Sequence, residues 1–352
     1  GFGIRGVVAL APCDNRYKSA GRPLRLQNAD YLLLASGHDG DMYYLDGLGQ
    51  YNRATFDNNP DGFKALAYLY RGNHGNFNTV WGDADQGAFE SLLLNRKPLL
   101  TDEEQQAAAK VFITSFLEAS LNGRDEYRAL FYNTDAAADW LPDGATVTQY
   151  LDARFIPVAT HTRGSREALD VSGGRAAATG VADWRSAPHE LRDGKTTVPN
   201  RGLLVKWDAG SAPDYTLTLP EAAVATWALT PEHALSFVLT NMLDEGTPGP
   251  VVVELADAAG EVARLPLDRF GPLQPALPAR LTKAAWVADM PGYKIATARP
   301  AERVGQTYDL PLADFVAANT AFNPAQLAKI RFLFDATAAG QIVVDEVGFR
   351  RP

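Results

Sequence analysis

The sequence is poor in the residues that build redox and disulfide chemistry. Cys13 is its single cysteine, which excludes an intrachain disulfide and any Cys-x-x-Cys motif but does not choose between cytoplasm and exterior. No run of about 18 apolar residues is present to span a bilayer. Positive charge is also scarce: 33 Lys and Arg stand against 42 Asp and Glu, a formal net charge of −9. The averaged field therefore repels polyanions, and nucleic-acid binding would need a local basic patch that the linear sequence does not display. A Gly-x-Ser-x-Gly pentapeptide is absent from all 352 residues. The chain opens Gly1-Phe2-Gly3-Ile4, without an initiator Met or a signal-peptide pattern, so the expectation is a terminus made by processing or cleavage.

What is there is ordinary for a folded protein: 46% apolar and 21% charged residues. Single cores stop growing at roughly 250–300 residues, so this length predicts two domains. Up to about residue 135 short apolar runs alternate with helical segments, an α/β pattern. The runs are Ile4–Ala11, Tyr31–Ala35 and Phe63–Tyr70, closed by Pro12, Ser36-Gly37 and Gly72. Leu45 to Phe56 fits a helix. Thr101-Asp102-Glu103-Glu104 is a capping box, opening a helix with an apolar stripe through Ala109, Phe112, Ile113, Phe116 and Leu117 that stops at Asn122-Gly123.

From about residue 165 the pattern becomes all-β, and a β-sandwich is the economical way to bury so many short alternating strands. Val251–Leu255 and Glu261–Leu265 read as a hairpin, and Gln341–Val344 reads as the antiparallel partner of the strand carrying Ile330, Phe332 and Phe334. The expected domains are 1–160 and 166–352, with a linker over 157–167 where Thr, Arg, Gly and Ser replace apolar periodicity.

Two segments concentrate chemistry: Ser36-Gly37-His38-Asp39-Gly40-Asp41-Met42 after the second run, and Gly72-Asn73-His74-Gly75-Asn76-Phe77 after the third. An acid at the C-terminal end of one strand and a histidine at the end of the next lie side by side on a sheet edge, where the carboxylate can orient the imidazole. Taken singly, an Asp in a glycine-rich turn is usually turn chemistry, and a His between Asn and Gly is usually a loop residue. His38 beside Asp39 suggests a metal pair, but no third ligand stands at suitable spacing, so no metal is expected. Cys13, after Pro12, is a further nucleophile candidate. Trp81, after the histidine, and Tyr43, after the acid, are candidate substrate-cleft walls.

These residues resemble the α/β-hydrolase superfamily, in particular its chlorophyllase-like, dienelactone-hydrolase-like and polyester-hydrolase-like members. There the last three strands end, in order, in an Ala-Pro-like turn, in Gly-x-x-Asp, and before a catalytic His. The matching segments here are Ala9-Leu10-Ala11-Pro12, Ser36-Gly37-His38-Asp39 and Gly72-Asn73-His74-Gly75, with Gly37 one position nearer the acid than in the commonest form. The resemblance implies a serine hydrolase of carboxylic esters, with His74 as base, Asp39 as acid and Asp41 as the alternative acid. Its nucleophile would precede both on a segment upstream of Ile4, carried by a further polypeptide. The resemblance gives 1–160 as the C-terminal portion of the hydrolase sheet and calls for no cofactor.

Residues 166–352 resemble, more loosely, the galactose-binding-like jelly rolls that accompany extracellular hydrolases. The resemblance rests on Leu235–Asn241 and the closing run Ile342–Phe349. It implies a secreted or periplasmic protein, a structural calcium ion in some members, and sugar binding by Trp184, Trp207, Trp227 or Trp286, each of which equally fits a core. The rival reading is a non-catalytic carbohydrate-binding or structural protein on a hydrolase-like scaffold.

Overall fold

The computed structural model describes residues 3–14, 18–19, 21–144, 146–162, 164–288, 290, 295, 299–335 and 337–351. The expected processed terminus at Gly1-Phe2, and position 163 of the expected linker, lie outside them. The chain divides into two units. The first takes residues Gly1–Ala153, Glu190–Val198 and Leu277–Val304; the second takes Arg154–His189, Pro199–Ala276 and Gly305–Pro352. A linear division at 160–166 therefore differs from the observed one, because two later segments return to the first unit.

The first unit is built on a four-stranded sheet. Its strands are β1 (Gly6–Leu10), β2 (Asp30–Ser36), β3 (Phe63–Leu69) and β4 (Thr146–Asp152), in that spatial order. The first three run parallel, and β4, which the apolar pattern does not reveal, closes the far edge antiparallel to β3. Every residue of β2 and β3 is buried, as expected of parallel strands covered on both faces. On one face Tyr31, Leu33, Leu66 and Tyr68 pack with Leu48 and Tyr51 of helix α1 (Leu48–Arg53). On the other, Leu32, Leu34, Ala65 and Ala67 pack with Ala108, Phe112 and Phe116 of helix α2 (Asp102–Asn122). The start of α2 is the predicted capping box: the Glu104 N–H donates to Thr101 Oγ1 at 3.1 Å, and the Thr101 N–H donates to Glu104 Oε2 at 2.9 Å. It ends on Gly123 at φ 65°.

β1 has the sequence of an interior strand but lies at the sheet edge. It pairs with β2 alone among the described residues, is only half-buried, and leaves Ile4 65% and Leu10 42% exposed.

The second unit is a β-sandwich. One sheet runs from Gln306–Pro311 through Ala234–Asn241, Gly340–Arg350 and Thr197–Trp207 to Asp183–Glu190, and Ile156–Ala159 also pairs with Gly340–Arg350. The other runs from Val262–Pro266 through Val251–Asp257, Leu327–Phe334 and Asp214–Thr218 to Arg175–Thr179. Both contribute to one core, where the Phe237 ring of the first sheet meets the Phe332 ring of the second edge-on at 5.0 Å.

Two expectations are corrected in this unit, and an open one is resolved. Residues 157–167 do not form a plain linker: Ile156–Ala159 is an edge strand with Val158 fully buried, and Pro157 fits there because an edge position does not require its N–H. The strand at 340–350 does not pair with 327–334. Ile330 and Phe332 enter the core from one sheet, Ile342 and Val344 from the other, so the link between them crosses the sandwich instead of turning a hairpin. As for the tryptophans, Trp207 is core and stacks on Phe334 at 4.7 Å, Trp184 and Trp227 pack half-buried against that core, and Trp286 belongs to the first unit, 64% exposed.

Candidate active site

Ser36 closes β2 and Leu69 closes β3, and the two are register partners, so the segments that follow leave the same end of the sheet together. They are stitched at once: the Gly37 N–H donates to Leu69 O at 2.8 Å and the His38 N–H to Gly72 O at 2.9 Å. A side chain at position 37 has no room, since a Cβ there would sit 2.3 Å from Tyr70 O.

The stitching brings Asp39 and His74 together. Asp39 is 1% exposed; its Oδ1 accepts the Asp41 and Met42 N–H groups at 2.8 and 2.6 Å, and its Oδ2 accepts the Ser36 hydroxyl at 3.2 Å. The same Oδ2 accepts Nδ1–H of His74 at 3.0 Å. Asp41 stands on the other side of the ring, 3.8 Å from Nε2, with its side chain 48% exposed. With the proton on Nδ1 held by Asp39, Nε2 is the nitrogen left to accept a proton. The Trp81 ring lies parallel to the imidazole, 6.2 Å between centroids and 4° between planes, and is 63% exposed. Tyr43 stands elsewhere: it is half-buried on the cluster of Leu94, Ala279, Leu281 and Ile295. His38 is buried, and its Nδ1–H donates to Tyr70 O at 2.7 Å. Burial holds its pKa down at about 4, so it stays neutral. Among the described residues no group of three or more His, Cys, Asp or Glu is placed to hold a metal ion, and no helix is long and apolar enough to cross a membrane.

Several residues that hold this pair carry no signal in the linear pattern. Asp85 ties the two turns together: Oδ2 accepts the Gly40 and His74 N–H groups at 2.8 and 3.0 Å, and Oδ1 accepts the Gly75 N–H and Asn73 Nδ2 at 2.8 Å each. Burial and the charge of Asp39 raise its pKa against those hydrogen bonds. Gln105, in the first turn of α2, exchanges two bonds with the Asn73 backbone, at 2.9 and 2.8 Å. A polar residue on the buried stripe of a helix is the one clue to it. Arg192, 1% exposed, donates Nη2–H to Gly37 O at 3.0 Å and Nε–H to Tyr43 O. Glu302 accepts the Leu45 N–H at 2.8 Å and the Arg192 N–H at 3.1 Å. The two segments that return to the first unit thus grip both ends of the acid turn.

The hydrogen bond to Asp39 lifts the His74 pKa to about 9; burial opposes it, and the charges of Asp39, Asp41 and Asp85 add to it. A value raised above the unfolded 6.5 means that the pair's contribution to stability is complete below about pH 6.5 and is lost as pH rises through about 9. A titration of the His74 ring by NMR should therefore show a midpoint near 9, lowered in Asp41→Asn. A midpoint at or below 6.5 would contradict the pairing.

No protein-family model matches the sequence, and no curated protein matches it. Among solved structures the chain is similar to the family 11 carbohydrate-binding module of Clostridium thermocellum, in complex with a β-1,3-1,4-mixed-linked tetrasaccharide. The identity is 11% and the TM-score 0.31, over 56% of this chain and 96% of that one. It is similar to the family 30 carbohydrate-binding module of a cellulosomal cellulase of the same organism, at 11% identity and TM-score 0.28 over 49% and 92% of the two chains. An exo-β-agarase is similar at 8% identity and TM-score 0.32, over 56% and 25%. Likenesses this distant assign neither activity nor ligand, and the sandwich architecture stands on its own strand order.

Proposed function

We propose that the first unit supplies the acid and base of a serine hydrolase acting on a carboxylic ester. The observation that carries this reading is the Asp39–His74 pair at the ends of adjacent parallel strands, with Nδ1 committed to a buried carboxylate and Nε2 left to take a hydroxyl proton. The nucleophile and the oxyanion-hole donors come from an upstream segment, in one chain with this one or separate. That segment pairs along the half-buried edge of β1, where the exposed Ile4 and Leu10 favour a neighbour.

The second reading is a carbohydrate-binding or structural protein that uses the hydrolase-like unit as scaffold. It agrees with what the solved structures named above are, carbohydrate-binding modules and an agarase. Against it, every described Trp, Tyr and Phe of the sandwich unit is buried or half-buried, which leaves no open aromatic platform for a sugar ring.

The two readings separate in one experiment. Protein carrying the upstream segment is assayed on a short-chain p-nitrophenyl ester before and after a serine-directed phosphonate. The hydrolase reading expects turnover that the phosphonate removes in proportion to labelling of an upstream serine. Absent turnover, or turnover that labelling leaves intact, defeats it.

A further inference from the structure

A basic cleft forms in the first unit where the sequence shows no basic run. Residues 93–95 and 281–283 pair as a short antiparallel ladder: the Asn95 N–H donates to Leu281 O at 2.8 Å and the Lys283 N–H to Leu93 O at 2.9 Å, with Asn95 Nδ2 on Arg280 O at 2.9 Å. Leu94 and Leu281 turn inward to a small apolar cluster. Arg96, Lys97, Arg280 and Lys283, with Asn95, surround a cavity of about 570 Å³. Arg96 pairs with Asp83 at 3.1 Å, while Lys97, Arg280 and Lys283 have no ion pair among the described residues. Four cations line one cleft, and among the described residues only Arg96 has a carboxylate partner, an unbalanced arrangement in a chain of net charge −9.

We propose that this cleft binds a carboxylate-bearing ligand, and that the substrate of the adjacent Asp39–His74 pair is an ester carrying such a negative charge. The second half of that statement rests on the hydrolase reading; the first does not. Arg280 matches a planar oxyanion through paired N–H groups and the lysines add point charge, while Arg96, held by Asp83 and by its Nη2–H on Ser91 O at 3.1 Å, adds positive field. The volume suits a small molecule or one unit of a polymer and is too small for a nucleic-acid duplex. Adjacency comes from two contacts. Leu94 packs where a Cβ on Gly40 of the acid turn would meet it at 3.0 Å. The loop whose Asp85 holds the His74 N–H also sends Asp83 to Arg96.

The test titrates the full chain with citrate, with triethyl citrate as the uncharged control and with sulfate, at low salt, and follows backbone amide shifts. Saturable shifts confined to residues 93–97 and 280–283 are expected with citrate, absent with the triester, and at least tenfold weaker in affinity for Arg280→Glu/Lys283→Glu. His74→Ala should bind citrate as the native chain does. Citrate binding that survives the double substitution, or no saturable binding, overturns the cleft as a site. Sulfate binding as tightly as citrate overturns its assignment to carboxylates. Citrate binding retained by protein that carries the upstream segment and yet hydrolyses no ester removes the hydrolase reading and leaves the cleft standing. An Arg280→Gln/Lys283→Gln variant, which removes the same two cations without introducing carboxylates, should also bind citrate more weakly and guards against a folding defect in the first pair.

Discussion

Replacing His74 by Ala should lower ester turnover of the protein assembled with its upstream segment by about 10⁴- to 10⁶-fold, the range in which triads lose rate when the base is removed. The ring contributes the only nitrogen in the pair that can receive the hydroxyl proton, because Nδ1 is bonded to Asp39. In the hydrolase reading the neutral imidazole is the working form, and with a pKa near 9 the rate should climb with pH toward that value. The fold should survive. The His74 side chain is 22% exposed, and Asp39 keeps the Asp41 and Met42 N–H groups and the Ser36 hydroxyl when the ring is gone. Loss of Trp81's stacking partner concerns an exposed ring and costs little. Turnover within tenfold of the native rate, in protein with an unchanged circular dichroism melt, would remove His74 from the chemistry.

How far the sequence could be read follows from where each feature stores its information. β2 and β3 are legible because an interior parallel strand must be apolar on both faces, and Ser36-Gly37 and Gly72 punctuate them. Once these strands are known to be neighbours, the positions of Asp39 and His74 follow, since parallel neighbours in register deliver their C-terminal turns to one edge. The start and end of α2 are legible for a similar reason: Thr101, Glu104 and Gly123 act on the backbone within a few residues of themselves.

Features that depend on distant partners are not local in this sense. Asp85 reads as one more solvated acid until Gly40, His74 and Gly75 present their N–H groups to it. Arg192 and Glu302 lie in a stretch whose alternating pattern belongs to the sandwich on either side, and nothing in that pattern marks the return of 190–198 and 277–304 to the first unit. The exchange between 330–334 and 340–350 misleads for a related reason: alternation reports which residues face a core, and in a sandwich both sheets face the same one. The basic cleft has the same character, since Arg96 and Lys97 stand far along the chain from Arg280 and Lys283.

The two acids beside His74 are separated by substituting each in turn. Asp39→Asn is nearly isosteric, and its remaining carbonyl oxygen can still accept the Asp41 and Met42 N–H groups, so the turn should hold. The amide then faces Nδ1 with N–H where a carboxylate oxygen accepted, and the ring answers by carrying its proton on Nε2, the nitrogen that must receive one. Loss of about 10⁴ in kcat is expected, as for the wrong tautomer in known triads. The His74 midpoint should fall together with the rate, because the bond to Asp39 is the largest influence raising it. Asp41→Asn acts differently. Its carboxylate is 3.8 Å from Nε2 and 48% exposed, so it bears on the ring mainly as a screened charge; a rate change under about tenfold and a small drop in the midpoint are expected. Rate and ring titration measured on both variants decide between the acids. If Asp41→Asn carries the large loss and Asp39→Asn the small one, the orienting acid is Asp41, and the buried bond at Nδ1 serves only to hold the turn.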